Sequence, residues 1–143
     1  MTTTDRSQRI FVVEDHVTLR ENLVLFFNRK KGWEVCGAVG TGEEALTMVP
    51  QLLPDIVLID MVLPDIDGID LVRRLLSQLP DIRCLILSGM SEDHYAELSL
   101  QEGAWGYVMK GDSSMVLQAI QTVLDGNIYV SERLRWRIEP KHS

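Results

Sequence analysis

"DIVLIDMVLPDIDGIDLV" (residues 55–72) couples an apolar run to a charge. Ile56, Val57, Leu58 and Ile59 are mostly β-branched, so the run reads as a strand buried on both faces. Asp60 ends it at once. After Pro64, Asp67 and Asp70 bracket the start of a helix whose apolar residues are Ile69, Leu71, Val72, Leu75 and Leu76. A strand apolar on both faces must be covered on both faces, and helices in crossover connections are the usual cover.

Working outward, the same alternation recurs on either side. "RIFVV" (9–13) is a short apolar strand. The helical pattern after it carries Leu19, Leu23, Phe26 and Phe27 on one face, Lys30 and Lys31 in its last turn, and Gly32 as the stop. "WEVCGAV" (33–39) is a second strand. Thr41 opens the next helix with Glu44 at capping-box spacing, and Pro50 and Pro54 close it. "RCLILS" (83–88) and "WGYVM" (105–109) are strands four and five, separated by a weaker helix from about Ser91 to Glu102. A last helix spans about 113–124 and stops at Asp125-Gly126. Strict alternation predicts an α/β fold, a five-stranded parallel doubly wound sheet between two helical layers. Residues 1–8 read as a tail, 9–126 as the folded domain, and 127–143 as an extension or linker segment. Ser131–Ile138 has helical propensity, and an exposed Trp136 there predicts a docking contact or a dimer contact.

Composition narrows the function classes. The 143 residues are 45% hydrophobic and 24% charged, enough for one ordered core. A net charge of -7 disfavours nucleic-acid binding, and Arg133, Arg135, Arg137 and Lys141 read as a solvated tail diluted by acids. No apolar run approaches the roughly 20 residues of a membrane span, and the start lacks a secretory leader's apolar core. Cys36 and Cys84 both fall inside strands and read as small core residues in a reducing compartment, with the cytoplasm expected.

In an open parallel sheet, ligands bind beyond the carboxyl ends of the strands. Glu14 and Asp15 follow strand one, Asp60 strand three, Ser88 ends strand four, and Lys110 follows strand five. Three carboxylates on one rim repel one another unless a cation sits there, and all-oxygen ligation points to Mg²⁺ rather than zinc. Each residue has an ordinary alternative: Asp15 as a helix cap, Ser88 as a turn hydroxyl, Lys110 as a surface amine. Their joint placement is the signal.

These positions resemble the response-regulator receiver family over roughly residues 9–126, and "VEDHVTLRENL", "TGEEAL", "LSGMSED" and "EGAWGYVMKGDS" are similar to its NarL/FixJ branch. The resemblance implies the flavodoxin-like strand order 2-1-3-4-5. It implies Asp60 as the acceptor of a phosphoryl group from a sensor histidine kinase or phosphotransfer protein, with Lys110 and Ser88 contacting that group. It further implies Mg²⁺, for which Mn²⁺ can substitute, held by Asp15, Asp60, the Val62 backbone carbonyl and, through water, Glu14. Pro64 and Gly68 match the loop after the acceptor, and Ser88 and Tyr107 match a switch that remodels the face of helix four, strand five and helix five. Such a protein is a regulator rather than an enzyme, here the input half of a transcriptional regulator without its helix-turn-helix domain, dimerising on phosphorylation. Leu63 stands where the family usually has Met, and Lys110-Gly111 where it usually has Lys-Pro. Val62 and Met90, apolar residues flanking the path of a hydrolytic water, predict a long-lived phosphorylated form.

Rival readings meet specific obstacles. A haloacid-dehalogenase phosphatase needs a second Asp two residues beyond the nucleophile, where this chain has Val62. A flavodoxin-type cofactor binder needs a phosphate-cradling loop after strand one, where "EDHVTL" offers anions. The alternative kept open is a pseudo-receiver that docks proteins without phosphorylation. Its usual mark is a missing acidic or lysine residue, and none is missing.

Overall fold

The apolar strands pair side by side and the intervening helices carry the chain back across the sheet. The computed structural model describes residues 6–89, 93–111 and 113–130. In chain order the elements are β1 (Gln8–Val13), α1 (Val17–Asn28), β2 (Trp33–Val39), α2 (Gly42–Leu52), β3 (Ile56–Asp60), α3 (Gly68–Gln78), β4 (Cys84–Ser88), α4 (Asp93–Gln101), β5 (Gly106–Met109) and α5 (Ser113–Leu124). All strand pairs are parallel, in the order β2-β1-β3-β4-β5. The flavodoxin-like order that the family resemblance implied is thus the order observed.

Strand alternation sorts the core into two layers. Phe11, Val13, Val57, Ile59, Ile86 and Tyr107 pack with α2, α3 and α4 residues such as Ala45, Leu71, Leu75 and Ala96. Ile10, Val12, Ile56, Leu58, Leu85 and Val108 face the other way, against Phe27 of α1 and Val116, Ile120 and Val123 of α5. Every residue of β3 and β4 is buried. Each such aliphatic side chain contributes about 1.5–3 kcal/mol on burial, so β3 is a firmly held post for a side chain at its end.

The capping signals were legible. Thr41 Oγ1 accepts from the Glu44 N–H at 3.1 Å, the first half of the expected capping box. Glu44 Oε1 accepts from the Thr41 hydroxyl at 3.0 Å and the Gly40 N–H at 3.3 Å rather than from the Thr41 N–H. The Asp65 carboxylate, from the loop after β3, adds bonds from the N–H groups of Gly42 and Glu43, both 2.9 Å, and ties that loop to α2. Asp67 caps α3 by accepting from the Asp70 N–H at 2.8 Å.

Two boundaries differ from the sequence reading. Lys30 and Lys31 do not form the last turn of α1, which ends at Asn28. The Asn28 side chain there accepts the Val35 N–H at 2.9 Å, and Lys30 folds over the Trp33 ring at 5.1 Å. Pro50 does not close α2; the helix runs through it to Leu52, with Leu53 in the left-handed region at φ 48°. A proline so near the end forfeits only its own N–H bond, and the Leu53 N–H still reaches the Val49 carbonyl at 2.8 Å. The Leu52 and Leu53 carbonyls left open beyond it accept from the Arg9 guanidinium.

Past α5 the chain turns at Gly126 (φ 93°) and returns to the sheet edge. The Tyr129 N–H donates to the Trp105 carbonyl at 2.8 Å, Tyr129 bridges Gly106 in parallel, and its ring is buried in the α1/α5 layer. The helix expected at 131–138, Trp136, the terminal basic residues, Met90 and the first residues of the expected fourth helix lie outside the described residues. No cis peptide bond occurs among the described residues, so Lys110–Gly111 is trans. No helix among them is long and apolar enough to cross a membrane.

Candidate functional site

Parallel register sets where each strand stops. Val13 pairs Ile59, Asp60 pairs Leu87 and Ser88 pairs Met109, so the residues that follow emerge at one rim. Backbone bonds continue just past the strands: Glu14 N–H to the Val39 carbonyl (2.9 Å), Met61 N–H to Leu87 (2.8 Å) and Lys110 N–H to Ser88 (2.9 Å). The rim is therefore built on fixed backbone rather than on loop.

At its centre the Lys110 ammonium lies 2.9 Å from Asp60 Oδ2 and 3.0 Å from Glu14 Oε1. The other Asp60 oxygen accepts the Val62 N–H at 3.2 Å. Glu14 Oε2 accepts the His16 N–H and meets His16 Nδ1, both at 3.1 Å. Glu14 is fully buried, Asp60 is 3% exposed, and Asp15 sits at the edge, 35% exposed. Gly68 makes this arrangement possible: its N–H donates to the Met61 carbonyl at 2.7 Å, and a Cβ there would lie 2.8 Å from the Asp60 carbonyl oxygen. The loop after β3 can fold back only over a residue without a side chain.

The charges are mutually adjusted. Burial pushes the Asp60 carboxyl up to about 6; bonds from Lys110 and the Val62 N–H oppose that, and the Glu14 charge adds to it. Burial also works against ionising Glu14, but the His16 N–H, Lys110 and the His16 ring outweigh it and hold the carboxyl below its usual range. For Lys110, burial would lower the ammonium's value, yet Asp60 and Glu14 overcome this and raise it. One cation thus serves two buried carboxylates, with Asp15 beside them.

The donor set fits a divalent cation. Glu14, Asp15, His16 and Asp60 each offer a ligand atom within 4.8 Å of the others. Glu14 Oε1 and Asp15 Oδ1 are buried yet make no hydrogen bond among the described residues. Glu14 Oε1 has only the ion pair with Lys110, and Asp15 Oδ1 only His16 Nδ1 at 3.5 Å. Glu14 thus shares its one ammonium with Asp60, and Asp15 Oδ1 has no donor within hydrogen-bond distance among the described residues. Buried, under-satisfied carboxylate oxygens are costly, and a cation would satisfy them.

Of the positions singled out in the sequence, Glu14, Asp15, Asp60 and Lys110 come together. Asp15 is not the helix cap; that position is His16, whose side chain makes no capping bond. Ser88 is buried at the adjacent strand end, and Val62 is 65% exposed on the rim. Tyr107 stands apart from the acids, buried beneath α4 with Ala96 and Leu100. Two neighbours escaped the sequence reading. His16 joins the acids, and Arg20 donates to the Glu14 carbonyl at 2.8 Å. His16 was discoverable as the next residue after the acidic pair, and Arg20 as the residue one helical turn beyond it.

Comparison with known proteins follows the same outline. The response regulator receiver domain model matches residues 10–123. Response regulator GacA of Pseudomonas viridiflava is 34% identical over 134 residues, 93% of this chain and 63% of its own length. The DNA-binding transcriptional activator DevR/DosR of Mycobacterium tuberculosis is 37% identical over 126 residues, 87% of this chain and 58% of its own length. The chain thus spans about three fifths of the length of these curated relatives. Among solved structures, a LuxR-family two-component response regulator from Aurantimonas sp. SI85-9A1 is 29% identical with a TM-score of 0.86, covering 95% of this chain and 98% of that one. The signal receiver domain of the putative response regulator NarL from Mycobacterium tuberculosis is 26% identical with a TM-score of 0.79, covering 85% and 99%. The chain belongs to the response regulator receiver domain family of two-component systems, with its relatives among the LuxR/NarL-type regulators.

Proposed function

We propose that Asp60 accepts a phosphoryl group from the phosphohistidine of a sensor kinase or phosphotransfer protein, and that this chain is the cytoplasmic input half of a transcriptional regulator. The observation that carries the reading is a buried carboxylate on a rigid strand end, 2.9 Å from Lys110 and flanked by two further acids. A carboxylate oxygen of Asp60 attacks phosphorus in line with the phosphorus–nitrogen bond. That bond breaks, the imidazole leaves with its electron pair, and an acyl phosphate forms on Asp60.

Asp15, Asp60, the Val62 carbonyl and, through water, Glu14 would hold Mg²⁺, or Mn²⁺ in its place. When bound, the ion supplies positive charge at the transferring oxygens. Lys110, already aimed at Asp60, pairs with one phosphoryl oxygen, and the Ser88 hydroxyl donates to another. The phosphoryl group adds about -1.5 to -2 charge to the rim. Drawing Ser88 inward opens space for Tyr107, two strand positions before Met109, and alters the face formed by α4, β5 and α5. That face would carry homodimerisation or the contact with a partner.

Intact mass after incubation with acetyl phosphate, with and without Mg²⁺, tests this on the wild type and on Asp60→Asn. One Mg²⁺-dependent phosphoryl adduct, absent from the variant, is expected. A folded wild type that gains no adduct would replace this reading with the pseudo-receiver, a docking module that works without phosphorylation.

A further inference from the structure

Phosphotransfer leaves one residue of the acidic rim without a task. His16 occupies the N-cap of α1 (φ -73°, ψ 111°), where a Ser, Thr, Asp or Asn side chain ordinarily accepts a bond from the first turn. Its ring makes no such bond and turns to the carboxylates instead, with Nδ1 3.1 Å from Glu14 Oε2 and 3.5 Å from Asp15 Oδ1. The ring is 73% exposed, so it can rotate to present a lone pair without disturbing the core.

The space it faces has the dimensions of a coordination sphere. The four ligand atoms of Glu14, Asp15, His16 and Asp60 lie within 4.8 Å of one another. Ligands of an octahedral ion bound at about 2.1 Å lie roughly 3.0 Å apart when adjacent and roughly 4.2 Å apart when opposite, so a shift of roughly half an ångström closes the set. Among the described residues, fully buried Glu14 Oε1 has only the Lys110 ammonium, which it shares with Asp60, and Asp15 Oδ1 has only His16 Nδ1 at 3.5 Å. Three carboxylates alone suit Mg²⁺; an imidazole nitrogen added to them suits a borderline transition ion better.

We propose that His16 is a metal-selecting residue, whose Nδ1 joins the carboxylates to bind a borderline divalent transition ion such as Co²⁺, Ni²⁺ or Zn²⁺ at the site proposed for Mg²⁺. The inference rests on the reading that this rim holds a cation. Coordination uses the neutral ring with its proton on Nε2. Since Asp60 ligates either ion, the two compete directly, and the receiver responds to transition-metal supply as well as to Mg²⁺.

Calorimetric titration of the full chain with CoCl₂ and with MgCl₂ tests the proposal, alongside the visible ligand-field absorption of bound Co²⁺. The proteins are the wild type, His16→Ala, His16→Gln and Asp60→Asn; glutamine keeps a donor toward Glu14 but ligates metals poorly. The ratio of Co²⁺ to Mg²⁺ affinity is expected to fall about tenfold or more in both His16 variants, with a changed Co²⁺ spectrum. Asp60→Asn should weaken both ions. An unchanged ratio and spectrum in the His16 variants, with Mg²⁺ still bound and still dependent on Asp60, overturns the role of His16 alone. A wild type that binds neither ion overturns the cation site and His16's role together.

Discussion

The raised Asp60 carboxyl makes the site a source of instability whose pH dependence can be worked out. Burial, opposed in part by Lys110, moves the carboxyl from an ordinary 3.8 to about 6. Below about pH 4 the group is protonated in both folded and unfolded chains and contributes nothing. Between about pH 4 and 6 the unfolded chain ionises while the folded one keeps its proton, so stability falls as pH rises. Above about pH 6 both are ionised and the full penalty is in force. At roughly 1.4 kcal/mol per pKa unit the displacement corresponds to at most about 3 kcal/mol, and the sharing of charge with Lys110 and Glu14 brings the expected value to about 1–3 kcal/mol.

Asp60→Asn removes this titration. Asparagine also sets an amide donor against Lys110 or the Val62 N–H, a cost that does not vary with pH and so cancels when the two proteins are compared across pH. About a third of the penalty is already in force at pH 4.5, so urea denaturation at pH 4.5 and pH 8 in EDTA should show the variant gaining about 1–2 kcal/mol on the wild type between those pH values. Mg²⁺ at pH 8 should reduce the gain by stabilising the ionised rim of the wild type. A stability difference that is the same at both pH values, or that moves the other way, refutes the argument that Asp60 is held against its own ionisation.

Other outcomes follow from the same geometry. Gly68→Ala puts a methyl group 2.8 Å from the Asp60 carbonyl oxygen and 3.0 Å from Met61 Cα. Backbone must move, at a cost of about 1–3 kcal/mol; an unchanged urea midpoint would show that the close approach is not required. Val62 is 65% exposed, so Val62→Asn should alter stability by less than about 0.5 kcal/mol. It should nonetheless shorten the life of a phosphorylated Asp60 severalfold by orienting a hydrolytic water, as followed by loss of label; an equal lifetime in variant and wild type removes the explanation from Val62.

Most of the fold was legible because its signals are local. Four consecutive apolar residues before Asp60, capping-box spacing at Thr41 and Glu44, and Gly126 after the last helix report on backbone within a few residues of themselves. Local signals misplaced only ends decided by distant partners. Asn28 stops α1 by reaching Val35 in the next strand, and α2 outlasts Pro50 into a turn whose carbonyls accept from Arg9 of β1. Tyr129 likewise returns to the edge of β5 through the Trp105 carbonyl, a contact no periodicity in residues 127–130 announces.

The sequence by itself determined the alternation of strands and helices, the two-faced burial of β3, and which charged residues follow which strands. Once strands run parallel, these placements send Glu14, Asp15, Asp60 and Lys110 to a common rim. Tertiary structure alone decided the balance within it: Lys110 shared between Asp60 and Glu14, Asp60 raised while Glu14 is lowered, and the His16 ring turned from capping a helix to facing the acids. Strand ends follow from local chain direction and hydrophobic pattern. Charge balance depends on distances of about 3 Å and on solvent exclusion, and both are produced only when segments far apart in sequence pack together.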